Sequence, residues 1–480
     1  MGIKSKKEAT LGHALIPIVF LILVLSVSIM VFESDPHIPI ILTIIVAAVV
    51  AIFQLGYTWE ELEEGILETI KMGMQATLIL MVIGTIIGAW ILSGTVPTMI
   101  YYGLQILSPG IFLIATCLIC CIVSVSTGSS WTTAGTVGIA LLGVGAGLEM
   151  PAHITAGAII SGAYFGDKMS PLSDTTNLAP AMAGSTLFDH IKHMFYTTTP
   201  SLIIALILYG IIGAKYAGRS LDMGNINLIL STLQEHFVIS PLLLIPPIVV
   251  IVIVLMKVPA LPGLMTGTVL GAIFAAIFQG ATIGDIIEAS HYGFSIETGV
   301  DIVDGLLNNG GLDGMMWTVS LIIIALSFGG VLERTGMLNA VGVSIMKLAK
   351  GTGSLIFATI LTGIAVNLLT GEQYLSLVIP GRMYKDLYAE RGIHPKVLSR
   401  TLEDGGTITS PLIPWNTCGA YMYGTLGVHP FAYAPYAFLN LINPIIAIIY
   451  GYIGFTISPL DDKEDKGEDE GSDDFEIELL

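Results

Sequence analysis

Long apolar runs dominate the chain, and each is long enough to cross the hydrocarbon core of a membrane. In chain order they cover residues 11–32, 38–55, 72–92, 110–126, 194–217, 238–256, 259–278, 314–332, 353–369 and 435–457. The runs are continuously apolar rather than alternating, which predicts helices and not the strands of a barrel. We therefore expect an all-α polytopic membrane protein with about 10–14 membrane crossings.

The first run superficially resembles a signal peptide, because Lys4, Lys6 and Lys7 precede it. It is too long for one, and no small-residue cleavage site follows before Glu33. We predict that it is a retained first span.

A polar segment that interrupts the apolar pattern occurs twice. Residues 166–172 read Gly-Asp-Lys-Met-Ser-Pro-Leu, and residues 406–412 read Gly-Thr-Ile-Thr-Ser-Pro-Leu, 240 positions later in a chain of 480. A neighbouring Thr and Asn follow each copy, at 176–177 and 416–417. Duplicated breaks of this kind are typical of the discontinuous helices or re-entrant hairpins of secondary transporters.

Weaker matches extend the duplication to whole halves of the chain. Residues 52–54 match 277–279, and residues 127–131 match 370–374. We predict a first transmembrane repeat at 11–217 and a second at 238–457. Residues 218–237 would join them, and residues 1–10 and 458–480 would form the two ends.

Charge predicts that the two repeats have inverted topologies. Residues 92–109 and 140–153 contain no Lys or Arg, whereas their counterparts in the second half contain Arg334, Lys347, Lys350, Arg382, Lys385, Arg391, Lys396 and Arg400. Cytoplasmic loops collect Lys and Arg, so corresponding loops should lie on opposite sides of the membrane. Lys215 and Arg219 are exceptions. This orientation places both termini in the cytoplasm.

Composition supports a membrane protein and excludes several other classes. Hydrophobic residues make up 54% and charged residues 12% of the chain, and the mean hydropathy is +0.82. Residues 461–480 carry eleven acids and two lysines, half of the net charge of −18, and should form a disordered, solvated tail. The sequence has no basic patch of the kind that would indicate binding of nucleic acid. Cys117, Cys120, Cys121 and Cys418 lack His at metal-binding spacing and should serve packing, so no cofactor is expected.

Hydroxyl-rich residues break the helix that should begin near residue 110. Thr127, Ser129 and Ser130 lie among seven Ser and Thr residues at positions 124–133. Such groups are costly against lipid, so they should face a cavity or satisfy unwound backbone, although close helix packing is an alternative. The repeat places Glu372 at the matching break, which favours the cavity. An alternative for Glu372 is a position near the membrane surface.

The segment after residue 166 carries the densest set of oxygen ligands. It contains Asp167, Ser170, Asp174, Thr175, Thr176 and Asn177. These groups and freed carbonyls suit a small hard cation such as Na⁺, which we place at Asp174 and Asp167. Competition between Na⁺ and a proton for one carboxylate would couple their fluxes. Asp174 is the first candidate and Asp167 the second. Lys168 could neutralise either, and Asp167–Lys168 could instead be a helix-end pair.

The second copy lacks the carboxylates of the first. Thr409, Ser410, Asn416 and Thr417 keep hydroxyl and amide oxygens, while Pro414 stands where Asp174 is in the first copy. Glu403 and Asp404 lie just upstream. We expect the first copy to supply charge to the site and the second to supply dipoles.

Residues 161–180, together with residues 83–97, resemble the signature of the NhaC-type sodium/proton antiporters. The resemblance covers about residues 10–457 and implies a bacterial or archaeal inner-membrane antiporter of the ion transporter superfamily, with inverted repeats and helical hairpins. Its expected partners are the lipid bilayer, Na⁺ and H⁺, and a homodimer is a further expectation. The family also includes a malate/lactate antiporter and members proposed to move amino acids, so sodium-coupled exchange of small carboxylates or amino acids is the alternative.

Two other classes fit less well. A membrane enzyme built on Lys168 and Ser170 would not need a duplicated architecture. A channel would pass one ion without the other. A secondary transporter, and not an enzyme, is therefore the prediction.

Overall fold

The computed structural model describes residues 6–32, 34–217 and 223–460. Its helices are α1 Leu11–Phe32, α2 His37–Val50, α3 Trp59–Leu92, α4 Thr95–Ile106, α5 Pro109–Thr127, α6 Ser130–Thr133, α7 Ile139–Gly147, α8 Ala152–Met169, α9 Asp174–Ala183, α10 Leu187–Ala217, α11 Met223–His236, α12 Ile245–Leu255, α13 Ala260–Phe278, α14 Ile283–Tyr292, α15 Asp301–Leu307, α16 Met316–Arg334, α17 Met337–Met346, α18 Thr352–Thr370, α19 Leu375–Glu390, α20 Pro395–Gly405, α21 Thr417–Leu426, α22 Pro430–Tyr433 and α23 Phe438–Ile453. Within these ranges the structure contains no β-strand. Lys4, Glu33, Arg219 and the acidic tail lie outside them.

The long apolar helices confirm the predicted class of an all-α polytopic membrane protein. Eight helices of the described chain are long and apolar enough to cross a membrane. Two further pairs pass the same test together but bend by 95° and 60° at a short break, which raises the count to ten. Ten is the lower end of the expected range. The bent pairs also fit the expectation of broken or re-entrant segments.

Helix ends repeat along the chain in the order that the duplication predicts. Glycines with positive φ end matching helices at Gly128 and Gly371, and again at Gly184 and Gly427. Both pairs are 243 residues apart. Left-handed backbone favours glycine, which lacks the Cβ that clashes there. The shared pattern supports two copies of one unit, while their inverted orientation stays a prediction.

The second half contains an insertion between its matches at residues 277–279 and 370–374. A Thr capping box begins α3 at Thr58 and α14 at Thr282, 224 residues apart. The offset grows to 243 by Gly371, so α3 is one helix of 34 residues, whereas its counterpart divides into α14, α15 and α16. Gly311 N donates to Gly84 O of α3 at 2.7 Å. The inserted segment therefore packs against α3.

Close packing of α5 against α8 positions the first pair of breaks. A Cβ built on Gly166 would lie 2.2 Å from Val125 N, and one on Gly162 would lie 2.2 Å from Cys117 O. These glycines let the two helices approach closely, as small residues do between membrane helices. The four cysteines are buried and free, as expected for packing residues. The end of α5 therefore lies beside Gly166 and Asp167.

In each half, the two breaks lie against one another. A Cβ on Gly128 would lie 2.6 Å from the carbonyl carbon of Leu172, and one on Gly371 would lie 3.0 Å from Trp415 O. Leu172 and Trp415 are 243 residues apart. The structure therefore pairs Asp174 with Thr417, not with Pro414. A 3₁₀ turn at Thr407–Leu412 lies between α20 and Trp415, the residue that contacts Gly371. The residues that match in space are therefore offset from those that match in sequence.

Candidate functional site

A cavity of about 490 Å³ lies where the breaks of both halves meet. Eight of the residues predicted from sequence line it: Thr127, Ser129, Ser130, Asp167, Asp174, Thr175, Glu372 and Thr417. Parts of α3, the α12–α13 connection and residues 372–374 before α19 complete the wall. The helix breaks therefore bring together residues that lie as far apart as 127 and 417 in the chain.

Asp167 is the most enclosed aspartate of the cavity. Its side chain is 8% exposed and belongs to the last turn of α8. Its Oδ2 accepts a hydrogen bond from Ser130 Oγ, and its Oδ1 accepts one from Ser173 Oγ, both at 2.6 Å. Hydrogen bonds to a carboxylate are stronger than neutral ones and fix its orientation. Both breaks of the first half thus hold this carboxylate at the cavity wall.

Asp174 occupies a more open part of the same cavity. It is the first residue of α9, and its side chain is exposed. Its Oδ2 accepts a 3.4 Å contact from the Tyr374 hydroxyl. A helix N-terminus stabilises a nearby negative charge. Of the two aspartates, Asp167 has the burial and the fixed geometry that an ion site needs, although the sequence ranked Asp174 first.

Glu372 lies in the cavity wall, and its side chain is 2% exposed. Its Oε2 accepts a hydrogen bond from Leu375 N at 3.1 Å at the start of α19. Ser129, its counterpart in the first half, accepts one from Thr132 N at 3.1 Å. The two residues make matching capping contacts, but only Glu372 adds a carboxylate.

Six predicted residues do not line the cavity: Ser170, Thr176, Asn177, Thr409, Ser410 and Asn416. In the first half, Thr176 Oγ1 donates to Asp167 O at 2.8 Å, and Asn177 Nδ2 donates to Pro171 O at 2.9 Å. Ser170 Oγ accepts from Leu172 N at 3.2 Å. Each group satisfies backbone that the break leaves without a helical partner.

The three residues of the second half act in the same way. Thr409 Oγ1 donates to Gly405 O at 2.6 Å, and Ser410 Oγ donates to Thr407 O at 2.8 Å. Asn416 Oδ1 accepts a hydrogen bond from Cys418 N at 3.0 Å, at the start of α21. These side chains stabilise the shape of the break and do not face the cavity.

Lys168 points away from the cavity, so it neutralises neither aspartate there by direct contact. Its Nζ pairs with Asp404 and donates to Asn443, and the side chains of Lys168 and Asp404 are both fully buried. The expectation that the second copy of the break supplies dipoles concerned residues 407–417, which contain no charged side chain. The ionisable groups of the second half lie outside that segment: α20 carries Arg400, Glu403 and Asp404 into the interior, and Glu372 precedes α19.

Sequence analysis missed several residues of the cavity wall. Gln75, Lys257 and Tyr374 line it. Gln75 gave a usable signal, because it is a polar residue within the apolar part of α3. Trp131 stacks on Tyr421 with ring centroids 4.1 Å apart, and the Tyr421 hydroxyl donates to Trp131 O. This pair joins α6 of the first half to α21 of the second beside the cavity.

The ligand chemistry of the cavity suits a hard cation. Carboxylates, hydroxyls and amides supply oxygen, which Na⁺ and other hard cations prefer. No group of three or more His, Cys, Asp and Glu side chains with metal-binding geometry occurs in the described ranges. A transition-metal centre therefore has no support there.

Known proteins match nearly the whole chain. A model of the Na⁺/H⁺ antiporter family matches residues 162–455. The chain belongs to this family. It is 42% identical to the Na⁺/H⁺ antiporter NhaC of Alkalihalophilus pseudofirmus over 453 residues, which cover 94% of the chain and 97% of that protein. The resemblance noted at residues 161–180 is confirmed.

Other relatives share the scaffold but have different names. The chain is 42% identical to the malate-2H⁺/Na⁺-lactate antiporter of Bacillus subtilis, over 91% of the chain and 93% of that protein. It is 39% identical to the arginine/ornithine antiporter ArcD of Halobacterium salinarum, over 96% of the chain and 95% of that protein. These relatives are transporters, which agrees with the prediction of a transporter rather than an enzyme. Their different substrates leave the cargo to be argued from the site.

Proposed function

We propose that the protein is a secondary transporter that exchanges cytoplasmic Na⁺ for external H⁺. The observation that carries this proposal is one cavity lined by a buried carboxylate from each half, Asp167 and Glu372, and by hydroxyl side chains. A buried carboxylate without a cation favours its protonated form. Na⁺ and H⁺ therefore compete for such groups, and alternating access would convert this competition into antiport.

Transport by the purified protein tests this function. Proteoliposomes that contain a pH-sensitive dye and an imposed pH gradient should show proton movement when Na⁺ is added. An equal concentration of choline chloride should produce none. Parental protein that moves no protons in response to Na⁺, and accumulates no labelled Na⁺, would refute the proposal.

Orientation is part of the same proposal. We place the protein in the cytoplasmic membrane with both termini inside, with repeats 11–217 and 238–457 inverted and with two copies forming a homodimer. Gln105 and Lys347 are exposed at the ends of the matching helices α4 and α17, so single cysteines there should be labelled from opposite sides of the membrane. Labelling of both from one side would contradict inversion. Mass measurement in nanodiscs tests the dimer.

A second candidate is sodium-coupled exchange of a small carboxylate or amino acid. The cavity is larger than a single ion requires, and its volume falls in the range of small-molecule sites. Lys257 lines it and supplies a cation for a substrate carboxylate. Counterflow of labelled malate, lactate and arginine decides this candidate. Absence of counterflow above that of empty liposomes would exclude these substrates.

A further inference from the structure

A second group of buried charges lies outside the cavity, on the opposite side of Lys168. Asp404 Oδ1 pairs with Lys168 Nζ and accepts hydrogen bonds from Asn443 Nδ2 and Thr197 Oγ1, each at 3.1 Å. Arg400 Nε lies 3.6 Å from Asp404 Oδ2. The side chains of Lys168, Arg400 and Asp404 are all 0% exposed. Two cations and one anion leave this cluster with a net charge of +1.

Glu403 is the fourth member of the cluster and differs from the others. Its side chain is 0% exposed, yet neither carboxylate oxygen accepts a hydrogen bond of normal geometry from the described residues, although the Thr407 hydroxyl lies beside it. A buried ionised carboxylate without a partner costs several kcal/mol. The uncharged form of Glu403, with a proton bound, is therefore the one that suits this conformation.

The net charge of the cluster makes this proton exchangeable. Lys168 acts electrostatically on Glu403 as well as on Asp404. Loss of the Glu403 proton would change the cluster from a net charge of +1 to neutral, so the nearby cations offset part of the cost of ionisation. A fully apolar site would hold the proton far more firmly.

The Glu403 carboxyl also interacts with the cavity through charge. Asp167 repels an ionised Glu403, and the two residues belong to α8 and α20. Na⁺ bound at Asp167 would cancel this repulsion and favour release of the Glu403 proton. Departure of Na⁺ would restore the charge of Asp167 and favour rebinding. Binding at one site thus opposes binding at the other, as an exchanger requires.

Other titratable groups surround α20, and each belongs to a helix packed against the cluster. His190 and His193 of α10 interact with Lys168 and Arg400, respectively, and Tyr388 of α19 interacts with Arg400. Arg400 Nη1 donates to Thr456 Oγ1 at 2.8 Å, and the Thr456 carbonyl contacts His193 Nε2 at 2.9 Å. Thr456 is partly exposed. Polar contacts therefore continue from the cluster to the protein surface beyond the end of α23.

We propose that Glu403, within the cluster of Lys168, Arg400 and Asp404, is a separate proton-carrying site, linked electrostatically to a sodium site at Asp167. A proton bound to a Glu403 oxygen leaves to water when Na⁺ binds, and a proton from water returns when Na⁺ departs. This proposal rests on the proposed Na⁺/H⁺ exchange and refines how the two ions compete. They compete through the charges of two linked carboxylates, Asp167 for Na⁺ and Glu403 for H⁺, and not at one shared carboxylate.

The variant E403Q tests this division, because glutamine keeps the shape of the side chain but cannot release a proton. In proteoliposomes, E403Q should lose Na⁺-driven proton movement, while labelled Na⁺ should still exchange for unlabelled Na⁺ at nearly the parental rate. The control E390Q, an exposed glutamate on α19, should keep both. Parental-rate Na⁺/H⁺ exchange by E403Q would overturn the proposal, as would loss of both exchange modes in a folded protein.

Proton counting in detergent gives a second readout. Addition of Na⁺ to weakly buffered parental protein should release protons, whereas E403Q should bind Na⁺ and release at least tenfold fewer. If E403Q does not fold, E403D replaces it. The pH at which Na⁺-induced proton release is half-maximal should then differ between E403D and the parental protein. The same half-maximal pH in both proteins would overturn the proposal. A parental protein that neither binds nor moves Na⁺ would instead refute the proposed function itself.

Discussion

Replacement of Asp167 by asparagine should remove most of the affinity of the protein for Na⁺ without unfolding it. The variant keeps the shape of the side chain, and its amide can still bond to Ser130 and Ser173, whose hydroxyls rotate to donate or accept. We therefore expect unfolding stability to change by no more than about 1 kcal/mol. The charge that holds the cation, however, is lost.

The size of this loss follows from Coulomb's law. At a hard-cation distance of about 2.4 Å and an effective dielectric constant of about 20, one carboxylate attracts Na⁺ with roughly 7 kcal/mol. Desolvation of the two ions offsets more than half of it, which leaves about 3 kcal/mol. This difference lowers Na⁺ affinity roughly a hundredfold. This roughly hundredfold loss is the value expected for direct contact between Asp167 and the ion.

Sodium titration of the tryptophan fluorescence provides the assay, because Trp131 lines the cavity. Asp189→Asn is the matched control, since Asp189 also accepts a hydroxyl hydrogen bond at 2.6 Å, from Thr186, but lies outside the cavity wall. The control should bind Na⁺ like the parental protein. A folded Asp167→Asn variant with less than a threefold loss of affinity would refute the reasoning.

Three further variants or conditions test the structure. Gly128→Ala should destabilise the protein by about 2 kcal/mol or more, because φ is +69° and the new Cβ would lie 2.6 Å from the backbone of Leu172. The control Gly280→Ala has φ +66° but open space around the new Cβ, so it should cost only the backbone strain of about 1 kcal/mol. Thermal unfolding in detergent measures both. Lys168→Met should lower the free energy of unfolding by about 3–5 kcal/mol, because it leaves Asp404 without its ammonium partner. Adding Asp404→Leu should recover part of the lost melting temperature. A melting temperature of Lys168→Met equal to that of the parental protein would contradict the buried pair. Hydrogen bonds from the Thr298 side chain and backbone lower the pKa of Asp304, so the contact should persist at neutral pH and weaken as pH falls through that lowered pKa. The protection factors of residues 296–308, which compare the observed exchange rate with the intrinsic rate at the same pH, should then fall in acid in the parental protein but not in Asp304→Asn. Equal protection factors at both pH values would oppose this.

Local chemistry explains why sequence predicted the helices and both breaks. Continuous apolar runs specify membrane helices, and Gly128 with Pro171 marks the points where the first-half helices stop. Carboxylate, hydroxyl and amide residues beside these points predicted cavity oxygens, and eight of the predicted residues, three carboxylates and five hydroxyls, line the cavity. Others, such as Thr176 and Asn416, have similar chemistry but bond to backbone groups instead. Composition alone does not distinguish these two uses.

Contacts between distant helices could not be predicted in this way. Lys168 pairs with Asp404 across 236 positions, and no local pattern indicates which acid a buried lysine will meet. The preference for Asp174 over Asp167 failed to anticipate burial for the same reason. Asp174 begins α9 and remains exposed, whereas the hydroxyls of Ser130 and Ser173 enclose Asp167. Only the packing of α5 against α8 brings Ser130 to this carboxylate.

The location of bound Na⁺ tests the central claim most directly. Cryo-electron microscopy of the protein in nanodiscs, at one alkaline pH with and without Na⁺, would compare the two states at high resolution. The account predicts a sodium-dependent density about 2.4 Å from an Asp167 oxygen, inside the cavity between the breaks of the two halves. Sodium-dependent density at another location, with an unchanged cavity, would contradict it.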